Sequence, residues 1–231
     1  MSNQKTLFIV GDDSLVDEYS SLCSTKGYKR VTKPTKTILF AFELTNISRE
    51  TKQKSLCQLD KILPKSIPII SSSVTITVGE QSTWLKHPER LIGIGAFPTL
   101  LQNSLLEFAP SHLTGEATKS AAKDFATTLG KEYAFVQDSV GLVLPRILCM
   151  LVNEACFAMM ERVAEGADID TAMKLGTNYP SGPVEWAERI GARHVHAVVS
   201  ALHRHFDEDR YRCAPLLQKA ALQNSFSWRR A

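Results

Sequence analysis

Five short apolar runs divide the first 138 residues: "TLFIV" (6–10), "TILFAFEL" (37–44), "SIPIISS" (66–72), "RLIGIGAF" (90–97) and "YAFVQD" (133–138). No other feature limits the fold as tightly. Runs of this length fit strands buried on both faces of a sheet. The segments between them carry helical spacing. "DSLVDEYSSLCSTKG" closes on Gly27, a residue suited to a helix C-terminus. "RETKQKSLCQLDKIL" (49–63) places Leu56, Leu59 and Leu63 on one face, and "ATKSAAKDFATTLGK" (117–131) is a further helix. This alternation predicts a mainly parallel sheet linked by crossover helices.

After Asp138 the texture changes. "GLVLPRILCMLVNEACFAMMERVAEG" (141–166) reads as one long, very apolar helix stopped at Gly166. "DIDTAMKLG", "GPVEWAERIG" and "ARHVHAVVSALHRHF" add three helical patterns punctuated by Gly and Pro. The spacing therefore predicts an α/β domain over 1–138 and an all-helical domain over 139–231. Asp168 reads as a helix N-cap. Met150, Met159 and Met160 form a stripe that belongs to a core or a subunit interface. The closing "NSFSWRRA" reads as a frayed end.

Composition excludes several classes. The 231 residues can bury the core of one large or two modest domains, and 44% hydrophobic with 22% charged residues is ordinary globular usage. No run approaches the ~18 apolar residues of a membrane span, and "MSNQKTLFIVGDD" does not read as a secretory signal. A net charge of +3, with Lys29-Arg30 and Arg229-Arg230 lacking interleaved aromatics, gives no nucleic-acid surface. The five cysteines (Cys23, Cys57, Cys149, Cys156, Cys213) contain no C-x-x-C pair and read as reduced thiols of a cytoplasmic protein. His194, His196, His203 and His205 fall on one helix without metal spacing, so no metal site is expected.

The stretch "ERLIGIGAFPTLLQNSLLEFA" (89–109) has the look of a site's rim. An apolar run ends in Gly-Ile-Gly, and twelve residues beyond Gly95 a carboxylate, Glu107, interrupts another. The stretch resembles the P-x-R-x-x-G-x-H-F-F-N-P…V-E segment of the NAD-dependent 3-hydroxyacyl-CoA dehydrogenases, of the 3-hydroxybutyryl-CoA dehydrogenase kind. "DIDTAMKLGTNYPSGPVEWAERIG" (168–191) is similar to that family's I-D-x-A-M-x-x-G…Y-P-x-G-P-x-x-x-x-D-x-x-G signature. "DSVGLVLPRI" resembles its D-x-P-G-F-x-x-N-R segment, and "ISSSVTIT" its N-T-S-S-L-x-I-T. "FELTNISRETKQKSLCQLDKIL" resembles its E-A-x-x-E-x-x-x-x-K…L-D stretch. "HFDEDRYRCAPLLQKAAL" is similar to bacterial phenylacetate-pathway members. The likeness covers roughly residues 37–222.

The resemblance implies a shortened Rossmann-like domain of mainly parallel sheet followed by an all-helical C-terminal domain. It also implies NAD as cofactor, an acyl-CoA substrate and a place in fatty-acid metabolism. Family members pair through the helical domain, so a homodimer is expected, with Leu148, Leu151 and Met159 among its contacts. A heteromer with an active paralogue is the other arrangement. In the family a His takes the substrate hydroxyl's proton and a Glu twelve residues on orients it. Glu107 keeps its place, whereas the His position reads Gly95. His87 and His112 are the nearest other imidazoles in sequence. The family's Asn position reads Pro145. Ser72 and Ser73 stand at its Ser pair, one of which hydrogen-bonds substrate.

The dinucleotide turn departs as well. Of G-x-G-x-x-G, "VGDDSLV" keeps only Gly11, with Asp13 and Val16 at the second and third glycines. Asp12 and Asp13 would cap the helix and repel a pyrophosphate. An acid for the adenine ribose is expected about 20 residues on, where the chain offers Lys29 and Arg30. With only "YKRVTKPTK" between Gly27 and Thr37, the strand carrying that acid is expected to be missing. The departures favour a dehydrogenase relative that has lost NAD-dependent catalysis and binds an acyl-CoA or a partner subunit. The alternatives are an active NAD-dependent 3-hydroxyacyl-CoA dehydrogenase and a structural or assembly protein.

Overall fold

A computed structural model describes residues 5–225 and divides after Leu142 into two compact units. In the first unit the strands are β1 (Lys5–Gly11), β2 (Tyr28–Val31), β3 (Phe40–Leu44), β4 (Ile69–Ser72), β5 (Leu91–Ile94), β6 (Leu105–Ala109) and β7 (Glu132–Phe135). The helices between them are α1 (Asp13–Thr25), α2 (Arg49–Ile62), α3 (Val78–Ser82) and α4 (Glu116–Leu129). One seven-stranded sheet results, in the order β2-β1-β3-β4-β5-β6-β7, parallel at every pairing except β5 with β6. The expected mainly parallel sheet is therefore present, with Phe42 beside Ile70 across β3 and β4.

Every residue of β3, β4 and β5 is buried, because helices cover both faces. On one face Phe40, Phe42, Ile70, Ile92 and Phe108 pack against Tyr19 of α1 and Phe125 of α4. On the other, Ala41, Ile69 and Leu91 meet Leu56, Leu59 and Leu63, the face expected of α2. Among the described residues no helix is long and apolar enough to cross a membrane.

Two strands escaped the apolar pattern. The strand expected to be missing is there as β2, parallel to β1 at the sheet's edge. It is short and its Lys29 and Arg30 face solvent, so it carries no apolar run. The other is β6, whose antiparallel turn back along β5 brings Glu107 beside Gly95.

Helix α2 is fastened along its whole length. Ser48 accepts the Thr51 N–H at its start (3.2 Å), and the buried Arg90 guanidinium caps its end. Arg90 donates to the carbonyls of Asp60 (2.8 Å) and Leu63 (3.1 Å) and to the Asp60 carboxylate (2.8 Å). Between these ends the Lys52 ammonium, fully buried, is bonded to the Glu43 carboxylate of β3 and to Ser71 Oγ of β4 (3.0 Å). Burial pushes the Lys52 ammonium below the usual lysine range, and Glu43 works against that shift.

The second unit is helical: α5 (Leu144–Met160), α6 (Gly166–Thr177), α7 (Pro183–Ile190), α8 (Ala192–Phe206) and α9 (Pro215–Gln223). The single helix expected over 141–166 stops at Met160. Arg162 turns left-handed (φ 58°) and Val163 N–H bonds the Ala158 carbonyl (2.9 Å). Gly166 begins α6 instead of ending α5, and the N-cap is Glu165. Asp168 is therefore a first-turn acid facing the helix N-terminus, not the cap. Leu148 is buried, while Leu151 and Met159 are partly covered. The exposed apolar side chains nearby are Val143, Ile147, Met160 and Val163.

Asp170 explains much of the 168–191 segment. Its buried carboxylate accepts the N–H groups of Val184 (2.8 Å) and Glu185 (3.2 Å), capping α7 from α6. A Cβ on Gly182 would lie 2.1 Å from Asp170 Oδ1, so only glycine fits there. Glu185 returns a bond to the Gly182 N–H (3.2 Å) and pairs with Lys174 (2.6 Å). Asn153 ties α5 to the chain before α9, accepting from Ala214 N–H (2.8 Å) and donating to the Arg212 carbonyl (2.9 Å). The closing residues from 226 lie outside those described, including Arg229-Arg230 and most of the "NSFSWRRA" end.

The Lys52–Glu43 pair gives a stability test. Lys52→Met should destabilise the chain by about 3–5 kcal/mol in urea unfolding, because it strands a buried carboxylate. The double change Lys52→Met, Glu43→Leu should recover most of that loss. A double variant no more stable than the single one would contradict this account.

Candidate functional site

Strands β1, β3, β4 and β5 are parallel, so their carboxyl ends line one edge of the sheet. The chain order reverses between β1 and β3, and in such sheets ligands bind in the crevice at that reversal. Gly11, Asp12, Thr45, Asn46, Ser72 and Ser73 all stand at this edge.

Gly11 is needed there for packing alone. Its φ is +148°, and a Cβ would lie 2.4 Å from the Leu44 carbonyl carbon. Asp12 is the residue before α1, but its carboxylate accepts the Asn46 N–H (2.7 Å) and makes no cap bond to the helix. Of the two expected caps, only Asp13 lies in the first turn. Val16, at the third glycine position, is buried beneath the helix. At the far edge Lys29 and Arg30 are exposed, and Arg30 reaches across to the Ile9 carbonyl (3.3 Å). No acid occurs between Tyr28 and Thr37. These residues do not fit an NAD molecule: two carboxylates stand where a pyrophosphate needs bare N–H groups, and the ribose has no acid.

Ser72 and Ser73 are both fully buried. The Ser72 hydroxyl stands 2.6 Å from Asn46 Oδ1 and 3.1 Å from the Ala96 carbonyl. Ser73 packs its hydroxyl against Gly93, where a Cβ would approach it to 2.4 Å. As the chain is folded, both hydroxyls face inward.

Gly95 and Glu107 are cross-strand neighbours. The Gly95 N–H donates to the Glu107 carbonyl (2.9 Å), extending the β5–β6 ladder past Ile94. A Cβ on Gly95 would lie 3.7 Å from Glu107 Oε2 and 3.5 Å from Leu142 Cδ1, ordinary contact distances. The backbone at Gly95 is outside the left-handed region. The spacing of twelve thus places a bare position face to face with a half-buried carboxylate. His87 and His112 lie toward the amino end of β5, the opposite edge, and cannot stand in. In the second unit Pro145 is a buried first-turn residue of α5, a place where its missing N–H costs nothing. The four histidines of α8 share a helix without converging, and among the described residues no His, Cys, Asp and Glu cluster could hold a metal ion.

Two residues of this edge were not singled out from the sequence. Asn46 follows a buried strand at its carboxyl end, itself a signal. Glu18 interrupts the apolar face of α1 between Leu15 and Leu22. Its carboxylate accepts the Thr99 N–H (3.0 Å) in the loop joining β5 to β6. Burial raises the Glu18 carboxyl's affinity for a proton, opposed by the N–H groups of Thr99 and Leu101.

Residues 26–139 match the family described as 3-hydroxyacyl-CoA dehydrogenase, NAD binding domain, a match that begins after α1. Residues 141–229 match 3-hydroxyacyl-CoA dehydrogenase, C-terminal domain. A 3-hydroxybutyryl-CoA dehydrogenase of Bradyrhizobium diazoefficiens is 33% identical over 170 residues, covering 74% of this chain but only 58% of that relative. One from Clostridioides difficile is 31% identical over 207 residues, covering 89% of this chain and 72% of the relative. The solved (S)-3-hydroxybutyryl-CoA dehydrogenase of Ralstonia eutropha shares the fold, with a TM-score of 0.76 at 24% identity, covering 96% of this chain and 94% of that one.

The two nearby glycines should respond oppositely to a methyl group. Gly95→Ala should change stability by less than ~1 kcal/mol, since its Cβ meets only ordinary contacts. Gly93→Ala would press on Ser73 Oγ at 2.4 Å and Val78 Cγ2 at 2.5 Å and should cost about 1–3 kcal/mol. Thermal unfolding of both variants checks the contrast, and equal effects would refute it.

Proposed function

The chain belongs to the 3-hydroxyacyl-CoA dehydrogenase family, and from that premise we propose that it has lost NAD-dependent catalysis and serves by binding an acyl-CoA or a partner subunit. The observation that carries this reading is the glycine facing Glu107. A carboxylate beside the reacting position can orient and charge-stabilise a base, but Gly95 has no group to accept a proton. Pro145 likewise offers no side-chain donor or acceptor at the family's Asn position. The carboxylates at Asp12 and Asp13 support the same reading from the cofactor side.

The decisive assay is acetoacetyl-CoA-dependent NADH oxidation by wild type and by Gly95→His. The Gly95 backbone lies outside the left-handed region and a Cβ there meets only ordinary contacts, so the substitution sets a side chain next to Glu107. General acid–base catalysis contributes on the order of 10²–10⁴-fold, and its return cannot move a hydride to a cofactor that is not held. Both proteins should be silent, and NADH should bind with a dissociation constant above ~100 μM, weaker than about 5.5 kcal/mol. Turnover by wild type would overturn the proposal and favour an active dehydrogenase.

The same reading includes association of two copies through the helical unit. Val143 and Ile147, one turn apart near the start of α5, leave apolar surface in water, together with Met160 and Val163. Sedimentation at ~10 μM should give a dimer, and Ile147→Asp should shift it toward monomer. A monomeric wild type would contradict this part.

A further inference from the structure

Asn46 has every polar group engaged, each to a different residue. Its N–H donates to the Asp12 carboxylate (2.7 Å), and its carbonyl accepts the Thr75 hydroxyl (3.1 Å). Its Nδ2 donates to the Ala96 carbonyl (2.8 Å), and its Oδ1 faces the Ser72 hydroxyl (2.6 Å). Asp12, Asn46, Ser72 and Ala96 follow or end β1, β3, β4 and β5. Following β3, this buried residue thus ties the end of β1 through its backbone N–H and the ends of β4 and β5 through its side chain, at the crevice where an α/β sheet would receive a ligand.

A second tie acts on the same loop. Beyond Ala96 the chain passes through Thr99, which is left-handed (φ 71°), a conformation that β-branched residues rarely adopt. Such backbone persists only where its surroundings over-determine it. Here the Ala96 carbonyl is held from β3 and β4, and the Thr99 N–H is held by Glu18 from α1. A buried polar group that loses its partner costs about 1–3 kcal/mol, so the ties do not open singly at little cost.

We propose that Asn46 is a latch that keeps the crevice at the carboxyl ends of β1, β3, β4 and β5 closed to an adenine dinucleotide, with Glu18 as its second fastening. The inference rests on the reading that this chain holds no NAD. It adds that the crevice is shut by the chain's own polar groups, besides being repellent to phosphate.

The test uses the full chain carrying Asp13→Gly, which removes the exposed charge at the α1 N-terminus, with and without Asn46→Ala. Hydrogen exchange and NADH titration are read on both. Asn46→Ala should speed exchange at residues 95–103 at least tenfold, leave β1 and β3 protected, and tighten NADH binding at least tenfold. Ser72→Ala, which removes one hydroxyl and spares the strand, should move exchange in the same direction and serves if Asn46→Ala fails to fold. Unchanged exchange in the variants would overturn the latch, as would faster exchange with no gain in NADH affinity. Wild type binding NADH below ~100 μM would overturn the loss of cofactor and the latch together. Silence in both NADH titrations would sink the latch alone.

Discussion

The Lys52 ammonium, buried against Glu43 and Ser71, is the contact on which the first unit's site edge depends. Each charge is costly to remove from water, and neither can stay buried without the other. The pair therefore forms only when α2 lies over β3 and β4 in one register, with Glu43 opposite Ser71. That register decides where β3 ends, and hence where Thr45 and Asn46 emerge. Arg90 reinforces it by neutralising the carbonyls at the other end of α2.

The site built on this frame sets a glycine opposite a carboxylate. The antiparallel return of β6 still brings Glu107 to the carboxyl end of β5, and ordinary space remains over Gly95. The cofactor edge is different in kind. Its one surviving fingerprint glycine is required by the approach of β1 to β3, whether or not a phosphate is near. Gly11 thus gives no support to nucleotide binding.

Much of this was legible in the sequence, for identifiable reasons. β3, β4 and β5 announce themselves as apolar runs, because strands covered on both faces have no solvent side to encode; β1 and β7 carry apolar runs too, although β7 leaves Tyr133 and Phe135 exposed at the sheet's edge. β2 does not, since an edge strand with Lys29 and Arg30 in water carries no such run. The pairing of Gly95 with Glu107 could be read from a spacing of twelve, which a strand, a loop and a returning strand can bridge. The position of Asn46 at the centre of a network could not, because its partners come from three segments distant from it in sequence. The break between α5 and α6 was hidden by Gly166, which fits the first turn of one helix as readily as the end of another.

The Asp170–Gly182 contact bears on how such chains come to be identified. The carboxylate that caps α7 and the glycine that makes room for it are answerable to folding, and neither belongs to the Gly95–Glu107 pair. Losing either residue would unmake the α6–α7 packing regardless of any reaction. Kinship inferred from residues 168–191 is therefore a statement about ancestry and architecture. Turnover has to be read elsewhere, strand end by strand end.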